Sequence, residues 1–461
     1  MKINFKDEVL KRKDALIEDL KGLIQINSEL TTFDPNRKGA PFGEGTKEAL
    51  DYMLDLGKKD GFDTENLEGY AGHIVYGDQK DFVGMIGHLD VVPAGNDWTY
   101  DPYGGIIADN KMYGRGTEDD KGPTIAAYYA LKILKELNVP LSKRIKLILG
   151  NDEETDWRCM RHYFSKFPEQ PVSGFIPDAD FPLIYAEKGI FRMHLTGASE
   201  PSDIISVHGG FRDNMVPDYA SASIRKHADF DHVLLFQNFL ASNNYTGDII
   251  AFEDHYELKM QGISAHGSTP EMGENAILRL FEYFKYIGFK HVLIDLIEEK
   301  FKDDVHGKKL GVNYHDEEMG PLTINLGVLD FENDTFEIKL NVRYPNGVDY
   351  DQLVDAINES VQPLGVVGHV SRHQKLLYQD PNSHLVKTLL DVYRKHTNDH
   401  EGQAFTIGGG TFARAMSNSV AFGPHFSGTP TYIHQKNEHI DLDQLIKATI
   451  IYTEALYELA K

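Results

Sequence analysis

Five short stretches crowd histidines and carboxylates where strand-like segments end. They are GHLD at 87–90, GRGTEDDKG at 114–122, NDEET at 151–155, PDADFP at 177–182 and IHQKNEH at 433–439. In GHLD, which follows the apolar run FVGMIG, residues two apart in extended chain share a face, so Asp90 can orient His88. The same His-x-acid pattern recurs at His227, His255, His315 and His439, where a surface ion pair is the ordinary explanation. Position distinguishes His88, because open α/β sheets hold ligands at the carboxyl ends of their strands.

In GRGTEDDKG, glycines allow a tight turn that gathers Glu118, Asp119 and Asp120. Like charges so close repel, and a cation would relieve them; an acidic helix start is the plainer alternative. NDEET follows the apolar IKLILG, and its adjacent Glu153 and Glu154 can divide metal ligation from proton transfer. There too a helix start is the alternative, with Thr155 or Asp156 as its cap. PDADFP offers Asp178 and Asp180, or else only a proline-bracketed turn. The last stretch offers His434 and His439 just before the closing helix. Taken together, His, Asp, Glu, Asp and His at successive strand ends suit two divalent cations of the zinc, manganese or cobalt type, bridged by one carboxylate.

The elements that must carry these residues alternate. Helical patterns at 47–59, 125–137 and 157–167 interleave with strand patterns at 73–77, 82–87, 145–150 and 174–177. This predicts an α/β fold, a mostly parallel sheet with helices on both faces. Near Gly189 the pattern changes to alternating strands such as YASASIR and FEIKLNVRY, with helices at 231–240 and 275–287. The α/β pattern returns with helices at 385–396 and 442–459 and a strand-turn at 404–411. The expected organisation is a discontinuous catalytic domain, 1–188 and 381–461, interrupted by an α+β lid domain at 189–380.

Composition excludes several classes. The 461 residues, 41% hydrophobic and 26% charged, suit a globular chain of about two to three domains. A net charge of −24 argues against nucleic-acid and anionic-membrane binding. No apolar run approaches the ~20 residues of a membrane span. One cysteine, Cys159, rules out an intramolecular disulfide framework and points to the cytoplasm, with any metal held by His and carboxylates. There is no HExxH, P-loop or GxSxG motif. GGGT at 408–411 lacks the dinucleotide-binding spacing and fits a glycine-lined substrate pocket better.

With these motifs in order, joined by NMVP at 214–217, SAHGSTP at 264–270 and NVRYPNG at 341–347, the chain resembles the M20 family of di-metal peptidases and deacylases over nearly its whole length. GHLDVVPAGNDW, DDKGPTIAAYY and IGGGTFAR resemble its PepV-type, carnosinase-like Xaa-His dipeptidases in detail. The resemblance implies that His88 and Asp178 hold one metal, Glu154 and His434 the other, and that Asp119 bridges them. Zinc is the first choice of metal. It implies Asp90 as the orienting partner of His88 and Glu153 as general base. From the lid, His266 would stabilise the oxyanion and Asn214 would close over the substrate. Arg343 would bind the substrate's carboxylate, with Gly410 lining the same pocket. The long insertion implies a monomer whose His266 acts in cis. The implied reaction is hydrolysis of dipeptides with a free N-terminus, β-Ala-His among them; the rival is a deacylase acting on an N-acyl amino acid or succinyl-diaminopimelate.

Overall fold

The strand Phe82–His88 is buried along its whole length, as its unbroken apolar run FVGMIG requires of a strand covered on both faces. In the computed structural model, which describes residues 3–226 and 231–461, this strand lies at the middle of a nine-stranded sheet. Arg144–Gly150 and Ser173–Ile176 flank it in parallel, and Ser419–Ala421 extends the parallel run. Antiparallel strands complete both sides: Ala71–Tyr76 and Asp63–Leu67 on one, Ile184–Glu187 on the other. The sheet is thus parallel where the motifs sit and antiparallel toward its margins.

Register sets the site. His88 is level with Gly150, and Met85 with Phe175, so three parallel strands end together and their following residues share one edge. Helices Lys121–Glu136 and Leu442–Ala460 pack on one another and against the strand Phe82–His88. The close approach of Lys121–Glu136 to the strand depends on Gly87, where a Cβ would stand 2.0 Å from Thr124 Oγ1. Arg158–Lys166 and Glu44–Lys59 pack against Ala71–Tyr76.

The chain divides into two compact units. The first comprises residues 3–186, 377–406 and 410–461; the second comprises 187–376 and 407–409. Residues 407–409 join the second unit because the Lys188 N–H donates to the Ile407 carbonyl at 3.1 Å and Arg343 Nη1 donates to the carbonyl of Gly408.

The second unit is built on an eight-stranded sheet in the order Gly247–Ala251, His255–Gln261, Tyr219–Arg225, Ile204–Gly209, Thr323–Glu332, Thr335–Tyr344, Gly189–Ala198, Val367–Gln374. Every pairing in it is antiparallel. Strand Tyr219–Arg225 buries alternate residues, the signature of a sheet with one covered face. Helices His232–Asn243, Ala276–Tyr286, Val292–Lys300 and Tyr350–Val361 contribute Phe236, Leu280, Leu296 and Ile357 to the core on that face. Among the described residues, no helix is long and apolar enough to cross a membrane.

Candidate metal centre

At the carboxyl edge of the first unit's sheet, the Asp119 carboxylate stands between two imidazoles. Its Oδ1 is 2.9 Å from His88 Nε2 and its Oδ2 is 3.1 Å from His434 Nε2. His434 Nε2 is also 3.0 Å from Glu154 Oε1, and His88 Nε2 is 3.8 Å from Asp178 Oδ2. The five residues assigned as ligands on the resemblance therefore converge. His88, Asp119 and Glu154 each present a ligand atom, and these atoms lie within 4.8 Å of one another.

The neighbouring acids take other roles. Asp120 turns away, its Oδ2 accepting the His88 N–H and the Thr124 hydroxyl, both at 3.0 Å. Asp180 is exposed. Glu118 is buried, with Oε2 accepting the Tyr432 N–H at 2.7 Å, and burial pushes its carboxyl up to about 7. Asp90 acts differently from the simple His-carboxylate pair. The shorter contact of His88 Nδ1 is to the Asp90 carbonyl, 2.9 Å, whereas the nearest carboxylate oxygen is 3.6 Å away. The buried Asp90 carboxylate instead accepts the N–H groups of Glu153 and Glu154, each at 3.1 Å. One residue thus ties the strand end carrying His88 to the turn carrying Glu153 and Glu154.

Burial and neighbouring carboxylates raise the pKa values of Glu154 and Asp178, and burial raises that of Glu153 against the pull of His88. Asp119 is the exception: burial would raise it, but His434 and His88 outweigh burial and hold it below the carboxylate range. Hydrogen bonds to Asp119 and Glu154 lift His434 to about 10. His88 rises as well, because Asp119 and Asp90 favour its imidazolium against burial. The two imidazoles thus sit among carboxylates that favour positive charge between them. Divalent cations would supply that charge and leave the imidazole nitrogens free to ligate, so the residues present fit a metal centre.

The remaining assigned residues lie elsewhere. Gly410 belongs to the first unit, beside the Arg414 guanidinium. Asn214, His266 and Arg343 belong to the second. There the Gly267 N–H donates to the Asn214 carbonyl at 2.7 Å, holding the NMVP and SAHGSTP loops together. His266 is exposed and its Nδ1 is 2.6 Å from Ser268 Oγ. Arg343 is 4% exposed; its Nε donates to Asn341 Oδ1 at 2.9 Å and its Nη1 to Gly408, so Arg343 meets the glycine run two residues before Gly410.

Of the other His-x-acid matches, His227 falls outside the described residues. His255 pairs with Asp254 at the surface, His315 is exposed, and His439 bonds the Asn437 carbonyl. Sequence reasoning missed Glu438, Arg115 and Trp157. Glu438 ends the polar run HQKNE, in which only the histidine stood out, yet it is completely buried.

Comparison with known proteins places the whole chain among peptidases of one family. The model of peptidase family M20/M25/M40 matches residues 84–458. YtjP of Bacillus subtilis (strain 168), named as a candidate dipeptidase, is 40% identical over 472 residues, 100% of each chain. A protein of Staphylococcus epidermidis (strain ATCC 12228 / FDA PCI 1200), named in the same way, is 40% identical over 467 residues, 99% of each chain. Among solved structures, human carnosine dipeptidase 1 shares the fold at a TM-score of 0.57 and 15% identity, over 99% of this chain and 98% of its own.

Proposed function

The chain belongs to peptidase family M20/M25/M40 and is a metallopeptidase, and from that premise we propose that it is a two-metal dipeptidase cleaving dipeptides with a free N-terminus. The observation that carries the reading is the Asp119 carboxylate reaching His88 with one oxygen and His434 with the other. In this reading His88 and Asp178 hold one divalent ion, Glu154 and His434 the second, and Asp119 bridges them. Two such ions, zinc first and manganese or cobalt as alternatives, would supply Lewis acidity at the scissile carbonyl and would lower the pKa of a water toward ~7.

Glu153 is the base in this scheme. Its backbone is fixed by Asp90, its carboxyl takes a proton from the attacking water, and it returns that proton to the departing amine. His266 donates to the oxyanion that develops at the carbonyl. Arg343 offers a planar fork for the substrate's terminal carboxylate, Asn214 closes over the substrate, and Gly410 lines the pocket. A single chain is the working unit, acting in the cytoplasm.

Dipeptides are favoured over acylated amino acids by the names of the two full-length relatives. The test is a panel of free dipeptides, including β-Ala-His, with their N-acetylated counterparts and a tripeptide. It is offered to metal-stripped protein re-supplied with zinc, manganese or cobalt. Metal-dependent cleavage of the free dipeptides alone is the expected result. Cleavage of the acylated compounds instead moves the protein to the deacylases.

A further inference from the structure

Glu438 lies four residues beyond His434 with none of its surface exposed, and both ends of its carboxylate are committed. Oε1 accepts three amides of one turn: Gly116 N–H at 3.0 Å, Glu118 N–H at 2.9 Å and Asp119 N–H at 3.3 Å. Oε2 accepts Arg115 Nη1 at 2.5 Å. The Glu438 carbonyl adds a fourth tie to the turn by accepting the Gly114 N–H at 3.0 Å. Arg115 is itself nearly inaccessible; its guanidinium lies over the Trp98 ring at 5.3 Å and donates to the Pro93 carbonyl at 3.3 Å. One carboxylate therefore fixes the backbone of residues 116–119 from inside, and that backbone aims the Asp119 side chain at His88 and His434.

We propose that Glu438 is a positioning residue for Asp119, fixing the turn before any metal arrives so that the bridging carboxylate is already aimed. This rests on the reading of Asp119 as the bridge. Glu438 acts through the backbone and ligates nothing itself. Both oxygens act only as acceptors, because every partner they have is a donor. An amide in its place must turn its NH2 toward either the three N–H groups or the guanidinium, and one set of bonds is lost. Partners of this kind behind a metal ligand typically govern affinity by 10–100-fold.

The test uses the full chain, stripped of metal. Glu438→Gln is expected to weaken zinc and manganese binding by about 10–100-fold in competition with a chelating indicator. Turnover returns as metal approaches saturation, with KM within about twofold of the parent. Glu438→Asp keeps two acceptor oxygens and is expected to lose less than Glu438→Gln, which a loss of packing alone would not produce. Asp119→Asn is the control. If Asp119→Asn loses metal and folded Glu438→Gln binds it like the parent, the positioning role is overturned and the bridge stands. If Asp119→Asn itself binds both ions normally, the bridge reading falls. A measurement on the unaltered protein decides the matter even if the variants do not fold. The amides of Gly116, Glu118 and Asp119 are expected to resist hydrogen exchange in the metal-free state. Free exchange there, with protection only after metal addition, would overturn the proposal.

Discussion

The indole N–H of Trp157 donates to the carbonyl oxygen of Glu153 at 2.8 Å. Together with the Asp90 carboxylate on the Glu153 N–H, it anchors the proposed base through both of its peptide groups. Trp157 reaches back this way with φ at +57°, a left-handed backbone, and its ring lies 5.2 Å from that of Phe412. Trp157→Phe keeps most of the ring contact and removes the donor. The expected result is a kcat loss of about 3–30-fold with little change in KM, since a base displaced by a fraction of an ångström transfers protons poorly. Steady-state kinetics at saturating metal check it; an unchanged kcat would show that Asp90 alone suffices.

Glu153→Gln removes the proton acceptor and leaves the ligands in place. It is expected to bind two metals and to lose about 10²–10⁴ in kcat. Metal analysis alongside kinetics tests this, and near-normal turnover with metals bound would remove Glu153 from the role of base.

Metal stoichiometry distinguishes the ligands. Asp178→Ala and His434→Ala are each expected to reduce metal content from about two ions to about one per chain, because each faces one side of Asp119. Asp119→Ala is expected to release both. Elemental analysis after dialysis at fixed free metal reads the result directly.

His266→Ala is expected to lower kcat/KM by about 10²-fold while metal content stays at the parent's level. Being exposed, His266 can be removed with a stability change within about 0.5 kcal/mol. Equal activity in parent and variant would exclude it from oxyanion stabilisation.

Stability carries a pH signature at a distance from the metal centre. His73 is buried in the sheet beside Tyr163, whose hydroxyl is 3.0 Å from its Nδ1, and burial with the Lys146 charge pushes its pKa down to about 4. The folded state resists protonating it and the unfolded state does not. Its contribution is therefore full above the unfolded pKa of about 6.5 and is lost as pH falls toward 4, amounting to about 2–3 kcal/mol. The difference in urea stability between the parent and His73→Gln is expected to shrink by that amount between pH 7 and pH 4. A difference that stays constant would contradict the assignment.

The α/β fold and the converging ligands were legible because the same residues carry both signals. FVGMIG and IKLILG read as strands covered on both faces, and the acids beside them have no place in an apolar layer, so they mark strand ends. The polar, half-exposed edge strand Val367–Gln374 gives no such contrast and was not read, nor was Ile204–Gly209. Helices Val292–Lys300 and Tyr350–Val361 also went unnamed, short segments in a stretch dominated by strand alternation. Glu438 was illegible for a different reason: its partner amide at Glu118 is 320 residues away, and nothing local in HQKNE requires burial. The same holds for Gly408, whose partner Arg343 lies 65 residues upstream.

The order of the proposed ligands along the chain governs when a complete two-metal centre can form. His434 follows Glu154 by 280 residues, with the whole second unit between them. At a synthesis rate of about 5–20 residues per second, His88, Asp119, Glu154 and Asp178 wait roughly 15–60 seconds for their last partner to be made. The strand Ser419–Ala421, which extends the parallel run of the sheet, arrives equally late. Under the proposed assignment, loading of the second ion, which needs His434, therefore reports that translation has run through the last segment.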